Sequence, residues 1–342
     1  MTDEPRSDRW TNAPALWGRR CLVTGATGFV GSWLADRLLS DGAKVRCLVR
    51  PASQHRLHSD GNLQVALGDI TEPDSLPAAL DGVDLVFHVA GLIKAPRETD
   101  YFRVNYLGTI NLLEACRAAR RPPRIVVVSS LAAVGPSRPD RPVDEDSLCR
   151  PVTPYGISKL RTEDAIAAYQ PALPIAVVRP PTVYGPRDRE SLVLFKVAAL
   201  GLRPRLGVAG SISTVHVADL VDGILLAAKR DAAIGRTYFI AGDEQVSVAE
   251  LVDGIAAAVE RAGLSVPIPS PLLRGAGRAA ELARRIAGVS VVFDSWKAEE
   301  ILAGYWACSN ERARRELGFQ PRVPLTDGLR ATARWYRENG WL

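Results

Sequence analysis

The sequence predicts an α/β fold: a doubly wound parallel sheet with a smaller, mainly helical C-terminal lobe. Three observations predict it. Short β-branched runs alternate with helical stretches from Arg20 to Arg179. The first run leads into a glycine-rich turn that opens a helix. After Pro180 the alternation stops and the chain turns chiefly helical. Buried apolar strands alternating with helices mean βαβ units, whose right-handed crossovers lay the strands parallel.

The predicted strands are 20–24, 44–49, 63–67, 85–89, 124–129 and 175–179, with helices over 31–40, 74–80, 101–119 and 154–169 between them. In the last helix Thr153 suits the N-cap and Pro154 the first helical position. Pro180, Pro181, Gly185 and Pro186 then mark a loop. A helix near 192–200, a strand over 214–217, a helix over 219–229 and a strand over 236–240 follow. From Ser247 the pattern is helical and Ala/Arg-rich, broken by Pro267, Pro269 and Pro271. The expected organisation is a flexible arm over 1–16, a nucleotide-binding domain over 17–180 plus about 212–242, and a substrate lobe over 181–211 plus 243–342. A cleft lies between domain and lobe.

Composition narrows the function. The 342 residues are 47% hydrophobic and 24% charged, which excludes a mostly disordered or collagen-like chain. Lys+Arg 43 against Asp+Glu 38 leaves +5, scattered without a basic stripe or a motif, so no nucleic-acid partner is expected. Five cysteines without a C-x-x-C pair point to a reducing compartment, the cytoplasm. Cys21 and Cys47 sit in apolar runs and read as small core residues. His55 and His58 have H-x-x-H spacing but no third ligand, so they read as surface loop and no metal is expected. The first fifteen residues lack the apolar stretch of a signal peptide, and no apolar run approaches the ~18 residues of a membrane span.

The chemistry-bearing motifs begin with Thr24-Gly25-Ala26-Thr27-Gly28-Phe29-Val30-Gly31. Glycines let the backbone turn tightly against a pyrophosphate, and the following helix N-terminus offers free N–H groups. The strand before and the helix after supply the context this pattern needs. An acidic residue at the tip of the second strand would bind the ribose 2′-OH of NAD, but that tip reads Leu48-Val49-Arg50, then Pro51-Ala52-Ser53. A guanidinium beside a 2′-phosphate makes a charge-assisted contact worth about 1.5–3 kcal/mol. The expected cofactor is therefore NADP(H), with NAD(H) possible.

Tyr155-Gly156-Ile157-Ser158-Lys159 puts a phenol and an ammonium one turn apart on a helix. A nearby ammonium favours the phenolate, which is expected to lower the Tyr155 pKa and make it a general acid or base. Ser129 and Ser130 end the fifth strand at the carboxyl edge of the sheet. Ser130 is the first choice for holding and polarising a carbonyl oxygen, Ser129 the second.

Taken together these motifs resemble the extended short-chain dehydrogenase/reductases, the NAD(P)-dependent epimerase/dehydratase superfamily. The likeness is specific from Trp17 to Pro186 and looser afterwards. It implies a Rossmann-type domain and a Ser130/Tyr155/Lys159 site, since Ser130 stands 25 positions before Tyr155 as in that family. It implies that Lys159 also holds the nicotinamide ribose and that Asp69, followed by Ile70, accepts from the adenine amino group. It implies that the backbone of Val89, Ala90 and Gly91 lines the cofactor. Asn105 gains a positioning role near the cofactor, or else ties a helix to a loop. His88 reads as a core histidine. Arg179-Pro180-Pro181-Thr182-Val183-Tyr184-Gly185-Pro186 resembles the family's R-P-x-N-V-Y-G-P, with Thr182 in place of the frequent Asn and Pro180, Thr182 and Val183 beside the nicotinamide.

Many nucleotide-sugar members read R-D-F-I-H-V where this chain reads Ile212-Ser213-Thr214-Val215-His216-Val217. Isoleucine cannot pair a diphosphate, so a fairly apolar small molecule is the expected substrate, unless Arg187, Arg203 or Arg205 compensates. His216 is expected to brace a loop. The segment 267–287 resembles the substrate cover of hydroxysteroid-dehydrogenase-like and flavonol-reductase-like members. Its amphipathic, basic pattern also suits a membrane surface, the cleft cover being preferred. The first expectation is a ketone/alcohol oxidoreductase. The alternatives are a nucleotide-sugar epimerase or dehydratase with retained NAD, and a non-catalytic nucleotide-binding subunit. Homodimerisation through the helices 101–119 and 154–169 is a family expectation.

Overall fold

The structure is a computed structural model, described here over residues 16–57, 63–287 and 295–342. Residues 1–15 of the predicted arm and His58 lie outside the described residues; Leu16, expected in the arm, is instead buried in the core. The first half alternates β1 (Arg20–Thr24), α1 (Phe29–Ser40), β2 (Lys44–Val49), β3 (Gln64–Leu67), α2 (Leu76–Leu80) and β4 (Leu85–His88). It continues through α3 (Glu98–Tyr101), α4 (Gly108–Ala118), β5 (Arg124–Val128), α5 (Pro154–Tyr169) and β6 (Ile175–Arg179). The second half runs β7 (Thr182–Tyr184), α6 (Leu192–Ala199), β8 (Leu202–Leu206), β9 (Ile212–His216), α7 (Val217–Lys229) and β10 (Thr237–Phe239). It closes with β11 (Gln245–Val246), α8 (Val248–Ala258), β12 (Leu264–Ile268), α9 (Ser270–Ala287), α10 (Ser295–Ala303), α11 (Glu311–Leu317) and α12 (Leu325–Glu338).

Seven strands form one sheet in the order β10-β6-β5-β4-β1-β2-β3. All its pairings are parallel. The chain leaves β1 towards β2 on one side and later returns to β4 on the other. That reversal is the topological switch point, outside whose carboxyl ends ligands bind in such sheets. Strand alternation divides the core in two. Cys21, Val23, Leu85, Phe87 and Val126 face α1 and α7. Leu22, Val86, Ile125 and Val127 face Leu112, Leu113 and Cys116 of α4 and Ile166 of α5. All five cysteines are free thiols, and Cys21 and Cys47 are core residues.

The C-terminal helices α8 and α12 pack on α6 through Phe195, Ile255, Leu329 and Tyr336. Asp219, at the start of α7, accepts the backbone N–H groups of Arg322 and Val323 and ties this lobe to the sheet. Thr153 caps α5 by accepting the Gly156 N–H at 3.1 Å. His216 caps α7 by accepting the Ala218 N–H.

The structure departs from the expected elements chiefly as follows, besides β9 ending at His216 and α7 beginning at Val217. Val89 and Ser129 lie just past β4 and β5, where pairing ends and the backbone turns to the cavity. The helix expected over 101–119 is α3 and α4 joined through a π turn, Phe102–Leu107. The strand expected over 236–240 is three residues, Thr237–Phe239. Most of all, β7, β8, β11 and β12 add a three-stranded sheet, β11-β9-β7, and a parallel pair, β12-β8. Pro204 and Pro267 masked that pair, because proline is tolerated in strands with free edges.

Candidate active site

The carboxyl ends of β1, β2, β4 and β5 border a cavity of about 530 Å³. Thr24, Gly25, Thr27 and Gly28 form its floor, with Phe29, Val30 and Gly31 from the start of α1. Gly25 has φ +77, and a Cβ there would stand 2.7 Å from the Ala90 nitrogen. A Cβ on Gly31 would stand 2.1 Å from the Gly25 carbonyl oxygen. No side chain caps α1, so its first N–H groups remain open to an anion. This cradle fits a dinucleotide pyrophosphate.

Val89, Ala90 and Gly91 form the wall after β4, and Asp69 and Ile70 the wall after β3. Asp69 turns its carboxylate onto the Thr71 N–H and hydroxyl, at 2.8 and 2.9 Å. At the tip of β2 Val49 is buried and Arg50 exposed, and Arg50 lines the cavity. Arg56, six residues on, lines it too. Ser53 is buried behind Arg50, at 3.5 Å from its guanidinium and outside the lining.

Beneath this wall runs a chain of hydroxyls through a histidine. Thr109 donates to the Asn105 carbonyl at 2.6 Å, so its oxygen is left to accept from His88 Nε2, 2.8 Å away. His88 Nδ1 must then accept, and it does so from the Thr24 hydroxyl at 2.7 Å. The Thr24 oxygen in turn accepts the Ala90 N–H at 3.2 Å. The network fixes one neutral tautomer. Burial, with the Lys159 charge nearby, lowers the His88 pKa to about 3. His88 is a core histidine that aligns β1 with the turn after β4.

Lys159 is 7% exposed, and its ammonium donates to the Val128 carbonyl at 2.9 Å. Burial lowers its pKa to about 8, with Glu163 opposing. Tyr155 stands one turn earlier on α5, with its ring 6.1 Å from that of Tyr101. The expectation of a lowered Tyr155 pKa is corrected by the structure. Burial dominates and raises it to about 12, against hydrogen bonding from the Ser130 hydroxyl. The ammonium is engaged by the β5 carbonyl instead.

Ser129 and Ser130 diverge. The Ser129 hydroxyl donates to Glu163, whose carboxylate also pairs with Arg179 in a buried ion pair. Ser130 lines the cavity with Tyr155, its oxygen accepting the Ala132 N–H at 3.1 Å. Asn105 does not line the cavity. Its amide accepts the Leu92 N–H at 2.7 Å and donates to the Leu92 carbonyl and Ser158 hydroxyl, each at 3.0 Å. It thus ties the π turn to the loop after β4 and to α5.

A second cavity, of about 680 Å³, opens from the same Ser130 and Tyr155. Its walls are chiefly apolar: Leu194, Val197, Leu206, Ile212, Leu251, Ile268 and Trp306 among them. Val183 borders both cavities, Pro180 the first and Thr182 the second. Two ion pairs interrupt the apolar lining, Lys94 with Glu190 and Lys297 with Glu300. The three arginines that might replace the absent one are engaged elsewhere. Arg187 pairs with Asp36, and Arg203 and Arg205 share Asp253.

Sequence reasoning missed Arg56, Glu300 and the Lys94–Glu190 pair. The Pro51 turn that carries Arg56 back to the cavity was the one signal available. The other three depend on how the lobe folds over the sheet.

Fold and site define an NAD(P)-dependent enzyme of the extended short-chain dehydrogenase/reductase type. Comparison with known proteins agrees. Residues 21–241 match the model of the NAD dependent epimerase/dehydratase family, and the chain belongs to that family. It is 34% identical over 329 residues to "Ceramide reductase" of Caulobacter vibrioides, covering 94% of this chain and 95% of that one. It is 32% identical to "4-hydroxy-2-methyl-3-oxo-4-farnesyl-3,4-dihydroquinoline-1-oxide ketoreductase" of Stigmatella aurantiaca, over 91% and 95% of the two chains. It is also 30% identical to "UDP-glucose 4-epimerase" of Mycolicibacterium smegmatis, over 93% and 98%. Among solved structures, that of gox2253 superposes with a TM-score of 0.79 at 29% identity, covering 95% of this chain and all of that one.

Proposed function

We propose that the protein is an NADP(H)-dependent reductase that interconverts a ketone and a secondary alcohol on an apolar, lipid-like small molecule. The observation that carries this is the apolar cavity of about 680 Å³ meeting Ser130 and Tyr155, with no arginine among the described residues that line it. Such a wall suits an aliphatic body, and its two lysines, Lys94 and Lys297, are already paired with Glu190 and Glu300. The reductase names of two relatives support the same reading. The epimerase relative favours a second reading, nucleotide-sugar epimerisation with retained NAD. Ile212 and the engaged arginines weigh against it.

The residues divide the work. Gly25, Gly28 and the open end of α1 would hold the pyrophosphate. Arg50 and Arg56, the two cations at the β2 end, support the 2′-phosphate of NADP(H) over the bare ribose of NAD(H). Lys159 would hold the nicotinamide ribose, and the turn at 180–183 would border the ring. The nicotinamide, when bound, supplies or takes the hydride. Ser130 holds the substrate oxygen and polarises the carbonyl. With a pKa of about 12, Tyr155 stores its proton at neutral pH and delivers it to the forming alkoxide. Ser129 buttresses Glu163 rather than the substrate. In this reading the sheet serves the cofactor and the lobe the substrate. Free thiols suit the cytoplasm. The working state is a homodimer.

The test is oxidation of NADPH and NADH against a panel of alkyl ketones. NADPH is expected to be used at least tenfold more efficiently. Tyr155→Phe is expected to cut kcat/KM by about a hundredfold to ten-thousandfold and to leave NADPH affinity unchanged. Tightly bound NAD released on denaturation, with no ketone turned over, would establish the epimerase reading instead.

A further inference from the structure

The pair β8–β12 carries an unbroken apolar face from the surface to the reaction centre. The strands are parallel and in register: Leu202 opposite Leu264, Pro204 opposite Val266, Leu206 opposite Ile268. Residues two apart on a strand share a face, so these six side chains form one surface. Its outer end is open to water, Leu264 at 71% and Leu202 at 39% exposed, beside Leu200 at 77%. Its inner end is the wall of the substrate cavity, where Pro204, Leu206 and Ile268 line the space that holds Tyr155 and Ser130. The opposite face is polar and committed, with Arg203 and Arg205 bound to Asp253 of α8. Water-exposed leucines on a small two-stranded element add nothing to the core. Leu202 and Leu264 continue, outside the cavity, the face that Pro204, Leu206 and Ile268 present to it.

We infer that this face is the binding track for an unbranched aliphatic chain of the substrate, running from the carbonyl at Tyr155 outward past Leu202 and Leu264. The inference rests on the reductase reading and names its substrate class: a ketone bearing a long alkyl tail. From Leu206 to Leu202 the track spans about 13 Å at the usual rise of a strand. With C–C bonds near 1.5 Å, that length takes about ten methylenes of an extended chain. Each methylene laid on the track removes apolar surface from water, and its expected effect is about fourfold in binding.

The experiment is a chain-length series of methyl ketones, from butanone to pentadecanone, with NADPH. In the wild type kcat/KM is expected to climb severalfold per methylene and then level off. Val266→Trp blocks the track midway. It should flatten the rise early, so that long ketones lose the gain per methylene that they show in the wild type. Leu264→Asp, at the exposed mouth where folding tolerates it, should bring the plateau forward by the last few carbons only. Equal chain-length profiles in wild type and both variants would overturn the track, as would a wild type indifferent to chain length. Calorimetric titration with dodecanol separates this inference from the reading beneath it. Dodecanol binding that is lost in Val266→Trp, without turnover of any ketone, would keep the track and overturn the ketone reductase. Absence of dodecanol binding, with short ketones reduced, would do the reverse.

Discussion

Lys159 carries its charge where charge is penalised. It is 7% exposed, and burial lowers its pKa from 10.5 to about 8. Below pH 8 the folded and unfolded chains both hold the proton, and the folded chain bears the full penalty. Between pH 8 and 10.5 the unfolded chain binds more protons, so this group's contribution to stability rises with pH. A shift of this size corresponds to about 3 kcal/mol, offset by about 1 kcal/mol for the hydrogen bond to Val128. Lys159→Met is therefore expected to be inactive and, without cofactor, more stable than wild type at pH 7. The gap should close as pH approaches 10.5. Thermal melts of both proteins at pH 7 and pH 10 check this, and a pH-independent gap would count against it. In the proposed function this ion is the cation beside the nicotinamide ribose, which gives the penalty a purpose. His88, held neutral, has the opposite character: it aligns the cradle and takes no proton.

At the scale of elements, the π turn between α3 and α4 shows how one extra residue builds a site. Within it the Asn105 carbonyl accepts from the Thr109 and Thr162 hydroxyls, at 2.6 and 3.0 Å. The Asn105 amide then pins the loop at Leu92. Asn105→Asp keeps the shape but sets an acceptor against the Leu92 carbonyl and removes the donor to Ser158. It is expected to cost about 1–3 kcal/mol of stability and to weaken NADPH binding through the loop at Gly91. Melting and NADPH titration of the variant measure both, and wild-type values would reduce Asn105 to a bystander. No sequence pattern announces such a turn, because its residues keep the helical stripe on either side. The sheet was legible for the opposite reason. Strands buried on both faces, such as β5 and β6, read as continuous β-branched runs, and Thr153-Pro154 marked the start of α5. The candidate Ser, Tyr and Lys were legible because their spacing is local to one strand end and one helix. The short strands β7, β8, β11 and β12 were not, since they are only two to five residues long and proline interrupts β8 and β12. Arg56 and Glu300 reach their cavities only through tertiary folding, and the burial that raises the Tyr155 pKa was likewise invisible.

For the whole molecule, the face opposite α1 and α7 asks for a partner. There α4 and α5 lie side by side, joined by the Tyr169 hydroxyl donating to Glu114 at 2.7 Å. Their outer surfaces carry Leu107, 50% exposed, and the exposed small residues Ala118, Ala167 and Ala168. Arg161 and Asp164 are exposed on the same stretch of α5, one turn apart. In the proposed homodimer a twofold axis beside α5 would invert the order of these two charges, so that each copy would offer an anion where the other offers a cation. Small residues let the helices approach, and Leu107 supplies apolar area at the edge. An isologous contact of this kind buries about 800 Å² on each copy when it is stable. The protein is thus expected to sediment as a dimer at micromolar concentration. Leu107→Asp puts two carboxylates at that edge and is expected to shift the equilibrium to monomer. Because α5 carries Tyr155 and Lys159 on its inner side, the monomeric variant should also lose part of its turnover while keeping its fold. Sedimentation equilibrium of wild type and variant decides it, and a wild-type protein that is monomeric at tens of micromolar removes the dimer.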